Sequence, residues 1–290
     1  AMPVPVRWDL GQGRELGPSP YMVMAVINTT PDSFYDGGLN EDAAQASRSI
    51  AEALDSGAAI IDVGGESTRP GAREVSAEEE KARVLPVVEA AVQACQSRVE
   101  DDAAPRSAVS VDTSKAEVAE AALDAGASIV NDVSACRFSP LLLDVLAERK
   151  PGYVLMHSLG RPETMQDDPK YDDVVAEVGA FFEDKLNMLV RAGLPEEHIV
   201  LDPGIGFGKT LEHNLALLRG VEDLQRFGRP LLVGLSNKSL WGQLLGLEVH
   251  ERAIATMAAT SVMYAKGVTI HRVHEPKHAA QALVVARALM

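Results

Sequence analysis

The chain has 290 residues, room for one large or two small domains, with 46% hydrophobic and 24% charged residues. No apolar run approaches the roughly 20 residues of a membrane span, and a formal charge of −15 with a pI near 4.9 argues against a nucleic-acid footprint of clustered Lys and Arg. An anionic ligand therefore needs a local basic pocket.

Cys95 and Cys136 stand far apart without CxxC spacing, which predicts reduced thiols and a cytoplasmic setting rather than a disulfide framework or a zinc site. The start carries no basic-then-apolar signal, and Ala1 ahead of Met2 is taken as a remnant of cloning.

In chain order, the segment before Met22, with Gly11, Gly13, Gly17, Pro18 and Pro20, reads as an irregular or hairpin cap. Eight short β-branched runs follow, at 22–27, 59–63, 108–111, 128–130, 153–156, 199–201, 231–235 and 268–273. Helical spacing fills the stretches between: Ile50 and Leu54, then Val84, Val87, Val88 and Ala91, then Val174, Val178, Phe181 and Phe182. The charge runs 78–81 and 100–102 are predicted to be solvated helix faces.

Near-continuous apolar strands alternating with helices mean a parallel sheet buried on both faces, and eight such units are the count at which it closes. The sequence thus predicts a single-domain α/β TIM barrel over 2–290, with a cap at about 2–21 and the barrel at about 22–290. A doubly wound open sheet is the second choice.

A polar residue ends each apolar run or follows it directly: Asn28, Asp62, Asp112, Asn131 with Asp132, His157, Asp202, Ser236, and Arg272 followed by His274. The C-terminal strand ends of such barrels carry the chemistry, so these residues are expected to converge on one cup, although Asp and Asn also serve as turn residues and caps.

Two motifs fail. The stretch DPGIGFGKT at 202–210 has Pro203 where a phosphate loop needs Gly, and Lys209 where a dinucleotide fingerprint needs its third Gly. His271 and His274 lie three apart on a strand, so one faces the cup and the other packs outside.

Asp112, Asn131 and Asp202 form an acceptor-rich wall suited to a flat heterocycle presenting several N–H donors, with Lys238 as a neighbouring donor and Met156 and Phe207 as apolar faces. Asn28, Arg272 and His274 suit a diphosphate, Asn28 also being an oxygen ligand for Mg²⁺. Polar segments 31–39 and 64–73 are placed to close over the substrates.

These segments carry a resemblance. AVINTTPDSFYDGG at 25–38 and IDVGGESTRPGA at 61–72 resemble the paired signature blocks of the dihydropteroate synthases. SVDTSK at 110–115, IVNDV at 129–133, LMH at 155–157, LDPGIGFGKTLEHN at 201–214, SNKS at 236–239 and RVHE at 272–275 follow in order.

The resemblance implies condensation of 6-hydroxymethyl-7,8-dihydropterin diphosphate with 4-aminobenzoate, giving 7,8-dihydropteroate for folate synthesis, with Mg²⁺ as cofactor, sulfonamides as inhibitors and a homodimer formed through helices near the C-terminus. It would place the pterin among Asp112, Asn131, Met156, Asp202, Phe207, Lys238 and Arg272, and the diphosphate at Asn28, Arg272 and His274. The 4-aminobenzoate would lie against Thr68, Arg69, Pro70, Lys238 and Ser239, while Asp32, Ser33 and Asp62 would support the site. Asp112, Lys238, Arg272 and His274 would carry the catalysis.

The pattern departs from the family at Asn237, where an Arg is usual, and at the start of SLGRPETMQ, 158–166. Competing readings are a methyltransferase sharing the pterin wall, a Schiff-base aldolase built on Lys238, and a non-catalytic pterin-binding paralogue.

Overall fold

The eight runs become eight parallel strands, each within two residues of its predicted bounds at either end. After an antiparallel hairpin of β1 (Val6–Gly11) and β2 (Arg14–Ser19) come β3 (Met22–Asn28), β4 (Ile60–Gly64), β5 (Ala108–Asp112), β6 (Ile129–Asp132), β7 (Gly152–Met156), β8 (Ile199–Asp202), β9 (Leu232–Gly234) and β10 (Ile270–Val273). This computed structural model describes residues 1–29, 39–65, 73–99, 106–161, 164–236 and 238–290, with 39–42 by backbone alone.

Neighbouring strands pair in the order β8-β7-β6-β5-β4-β3-β10-β9, and a parallel bridge from Leu201 to Leu231 joins β8 to β9. The sheet closes into a barrel, and the open doubly wound sheet is set aside. Among the described residues, closure leaves the eight-stranded sheet without an unpaired edge strand. Helices at Leu39–Asp55, Ala77–Val99, Ala116–Asp124, Leu141–Arg149, Val174–Ala192, Leu211–Arg219, Ser239–Leu245, Ala253–Ala265 and Pro276–Ala288 alternate with the strands.

Alternation of side chains divides the apolar residues into two clusters. Val23, Ala25, Ile61, Val63, Val109, Val111 and Val130 pack outward against the helices, where they meet Val84, Val87, Val88 and Ala91, together with Val178 and Phe182. Met22, Met24, Ile60, Ala108, Ile129, Val154, Val200, Leu232 and Ile270 point inward and fill the lower barrel.

The hairpin seals that lower end. Val6, Trp8, Leu10 and Leu16 join the inward cluster, and the fully buried Trp8 donates from Nε1 to the His198 carbonyl at 2.8 Å. Its turn, Gln12 and Gly13, takes positive φ at both residues (54° and 75°), the twist that suits a two-residue hairpin loop.

One charge-run expectation is corrected. Glu80 is only 1% exposed: its carboxylate accepts from Thr113 Oγ1 and from Lys115 Nζ at 2.8 Å. It lies on the inner side of the helix Ala77–Val99, where a buried charge requires a paired cation. The run 100–102 lies outside the described residues. No described helix is long and apolar enough to cross a membrane.

Candidate active site

The inward face that is apolar below turns polar at the top. Asp62, Asp112, Asn131, Asp202 and Arg272 are each two residues beyond Ile60, Ser110, Ile129, Val200 and Ile270, so they share the inner face at the strands' C-terminal ends. Arg272 crosses this layer. Its Nε donates to Asp62 Oδ2 at 2.8 Å and its Nη2 to Asp112 Oδ2 at 3.1 Å, while Asn131 Nδ2 donates to the same Asp62 oxygen at 3.1 Å. The Asp62 side chain is fully sealed, whereas that of Arg272 is 21% exposed and can be reached from the mouth.

Two carboxylates therefore share one guanidinium in a water-poor site. Burial, and then the charge of Asp62, push the Asp112 carboxyl up to about 8 against the opposing pull of Arg272. Burial lowers the Arg272 guanidinium, but Asp62 and Asp112 outweigh it and leave the group raised. Asp62 Oδ1 and Ser110 Oγ, side by side in the register of β4 and β5, are buried with no hydrogen-bond partner among the described residues.

The opposite wall rests on the loop after β8. Asp202 Oδ1 accepts from Gly204 N at 2.8 Å, and burial raises its carboxyl. Met156 sits beside Asp202 in register, and Phe207 carries Lys238 Nζ 4.6 Å above its ring centre. Burial and the charge of Arg272 bring the Lys238 ammonium down to about 8.

Asn28 ends β3, His274 directly follows the neighbouring β10, and the two line one cavity of about 450 Å³ with Gln45, Ser49 and Glu52. The His274 amide is held by Ser236 Oγ at 3.1 Å.

The expected ring of strand-end polar groups does not converge entirely. Asp132 follows the inward Asn131 and turns outward, where it accepts from Ser134 Oγ at 2.6 Å, Cys136 N at 2.8 Å and Tyr153 OH at 2.8 Å. His157 follows the inward Met156 and packs 4.9 Å from the Phe181 ring centre. His271 is the outward member of its pair: Nε2 lies 2.9 Å from the Val268 carbonyl, and burial brings its imidazole down to about 4. All three are fold residues rather than cup residues.

Residues 24–274 match the family described as "Pterin binding enzyme". Dihydropteroate synthase of Escherichia coli (strain K12) is 43% identical over 279 residues, covering 96% of this chain and 95% of that one. The crystal structure of the Yersinia pestis dihydropteroate synthase with a sulfonamide drug complex superposes with a TM-score of 0.88 at 40% identity, covering 98% of this chain and 99% of that one.

The chain belongs to the dihydropteroate synthase family.

A third relative, Xanthomonas albilineans dihydropteroate synthase with 4-aminobenzoic acid, has a TM-score of 0.87 at 39% identity and covers 98% of this chain and 97% of that chain. As a dihydropteroate synthase, the enzyme is a transferase of a pterinylmethyl group in folate biosynthesis, which displaces the methyltransferase and aldolase readings.

Of the remaining expected synthase residues, Ser239 is exposed at the first position of the helix Ser239–Leu245, directly after Lys238. Thr68, Arg69, Pro70, Asp32, Ser33 and Asn237 lie outside the described residues.

Sequence reasoning underrated two groups. Asp62, assigned a supporting role, is the hub of the Arg272 network; its inward parity with Asp112 two strand positions away was the available signal. Lys209, noticed only as a failed motif position, is 1% exposed at the centre of the β8 loop, and a lysine among three closely spaced glycines was its signal.

Proposed function

We propose that this synthase, acting as one unit over residues 2–290 in the cytoplasm, condenses 6-hydroxymethyl-7,8-dihydropterin diphosphate with 4-aminobenzoate through the cup just described. The observation that carries the reading is the convergence of Asp112, Asn131, Asp202 and Lys238 at the C-terminal mouth of a barrel whose lower interior is apolar. An amino-pyrimidinone edge has N–H donors for the two carboxylates and the Asn131 amide oxygen, and an acceptor for Lys238 Nζ. Met156, Phe207 and Arg272 cover the ring faces.

Arg272, His274 and Asn28 then take the diphosphate. A diphosphate arriving beside Arg272 competes with Asp62 and Asp112 for its N–H groups, so substrate binding loosens the guanidinium from its carboxylates. The methylene C–O bond breaks with its electron pair leaving on the diphosphate, and the electron-rich pterin delocalises the cation, which ionised Asp112 stabilises. The aniline nitrogen attacks that carbon to form the C–N bond, and its proton passes to the released diphosphate. Lys238 and Ser239, with Thr68, Arg69 and Pro70, border the 4-aminobenzoate, and segments 31–39 and 64–73 keep water from the cation.

Mg²⁺ fits this chemistry at Asn28, which ends β3 exposed and whose amide oxygen would hold the ion, a hard oxygen donor of the kind Mg²⁺ takes. Bound there, the ion neutralises charge on the leaving diphosphate.

Diphosphate release should need the pterin diphosphate, 4-aminobenzoate and Mg²⁺ together, and fall to background when any one is omitted. Undiminished release without 4-aminobenzoate, with hydroxymethylpterin as the product, would overturn the shielded condensation. The sulfonamide bound by the Yersinia pestis relative supports sulfonamides as competitors of 4-aminobenzoate here.

The same reading makes the enzyme a homodimer. Ile254 (84% exposed), Val262, Val284 and Val285 stand exposed on the packed helices Ala253–Ala265 and Pro276–Ala288, an apolar face that a second copy would cover. Sedimentation at micromolar concentration should give twice the chain mass, reduced to one chain in Ile254→Glu; a monomeric wild type would sink the assignment.

A further inference from the structure

We infer that Lys209 is a positioning residue for pterin capture, its buried ammonium fastening the β8 loop so that Phe207 and Asp202 face the ring. The inference rests on the pterin wall proposed above.

Lys209 Nζ has three N–H groups and finds three acceptors within 3.0 Å: the Gly204 carbonyl at 2.8 Å, the Phe207 carbonyl at 3.0 Å and His157 Nδ1 at 2.9 Å. The first two bracket the turn that presents Phe207. This turn curls tightly because Gly204, Gly206 and Gly208 all take positive φ (73°, 87° and 70°), so its carbonyls point toward one centre. A Cβ at Gly204 would stand 1.8 Å from the His157 carbonyl and 3.3 Å from Lys209 Nζ, so the backbone wraps the ammonium with no room to spare.

Gly204 is also the residue whose N–H fixes Asp202 Oδ1. One lysine amino group, brought down to about 7 by burial against the pull of Asp202, thus ties together the carboxylate of the wall and the aromatic ring beneath Lys238.

Among the described residues the nitrogen has no carboxylate partner at hydrogen-bond distance: its acceptors are three carbonyls, the third being that of His157 at 3.4 Å, and a ring nitrogen. That is unusual for a buried lysine, which is normally paired with an acid. His157 receives the ammonium proton donor on Nδ1 and so stays neutral, and burial with the charge of Lys209 brings its imidazole down to about 2. His157 in turn sits edge-on to Phe181, which anchors the assembly to the helix Val174–Ala192. Gln166 and Tyr171 hold the outer side of the loop through Gly208 and Lys209 backbone atoms, so loss of the ammonium releases the inner side alone.

The test compares Lys209→Met with Phe207→Ala and the wild type, each as the whole 290-residue chain assayed with Mg²⁺ in the buffer. Lys209→Met should raise KM for the pterin diphosphate about tenfold, the effect of losing one charged hydrogen-bond set, with kcat at saturating substrate held within about threefold. A purely structural role lowers the amount of active enzyme and leaves KM alone. Lys209→Gln, which keeps N–H donors and much of the side-chain volume, should recover part of the affinity, and it carries the comparison if the Met variant does not fold. Raised KM in Phe207→Ala with unchanged KM in the Lys209 variants overturns the fastening and leaves the wall standing. Unchanged KM in Phe207→Ala and both Lys209 variants overturns wall and fastening together.

Discussion

Asp112→Asn is expected to lower kcat by about 10²- to 10³-fold, the range for removing one preorganised electrostatic partner of a charged transition state. The amide keeps the shape of the wall but has no charge to offer the pterin cation. Stability should hold. Burial raises the Asp112 carboxyl to about 8, so between its usual value near 4 and pH 8 the folded state binds more protons than the unfolded one and stability falls as pH rises. The Asn variant has no such loss and melts at or above the wild-type temperature at pH 8.

The same shift shapes the pH profile. In the wild type, kcat/KM should climb through about pH 8 as Asp112 ionises and fall again as Lys238, also brought to about 8, gives up its charge. The two limbs belong to one coupled set of groups and leave a narrow bell. Asp112→Asn should lack the rising limb. Turnover within threefold of wild type, or an unchanged rising limb, would remove Asp112 from the cation.

Arg272→Met is expected to damage both stability and binding, and the two can be separated. Among the described residues the substitution leaves the fully sealed Asp62 with only the Asn131 amide as partner, and stripping a buried ion pair of one member costs about 3–5 kcal/mol. It also takes a cation from the proposed diphosphate site, so KM for the pterin diphosphate should rise by about 10²-fold, within the penalty for losing a charge-assisted contact. Adding Asp62→Asn removes the stranded charge. The double variant should regain most of the lost melting temperature while its KM stays high. Recovery of KM together with melting temperature would show that Arg272 acts on the fold alone.

Most of the barrel was legible because β-branched runs and helical spacing are local properties, read over a few residues at a time. The strand ends were legible as polar positions, but their direction was not. Asn131 and Asp132 are adjacent and similar, yet one faces the cup and the other binds Tyr153 behind it, because a period of two sends neighbours to opposite faces. Choosing between them needs the register, which follows from pairing across strands distant in sequence. Met156 and His157 divide in the same way. Glu80 misled for a related reason: it belongs to a charged run, and only the packing of Lys115 from another helix start shows that it points inward. Lys209 is marked only by the glycines before it, since most of its partners are main-chain carbonyls that every sequence has and the other, the His157 ring, is 52 residues away in the chain.

The hairpin that plugs the lower barrel has a practical consequence for handling the enzyme. Because Trp8 and its neighbours enter from the strands' N-terminal ends, while Met2 and Val4 remain exposed, any segment joined ahead of Val6 emerges on the side away from the mouth. A surface tether or fused protein attached there would hold the catalyst by its closed base, with the opening turned to the medium and free to exchange substrates.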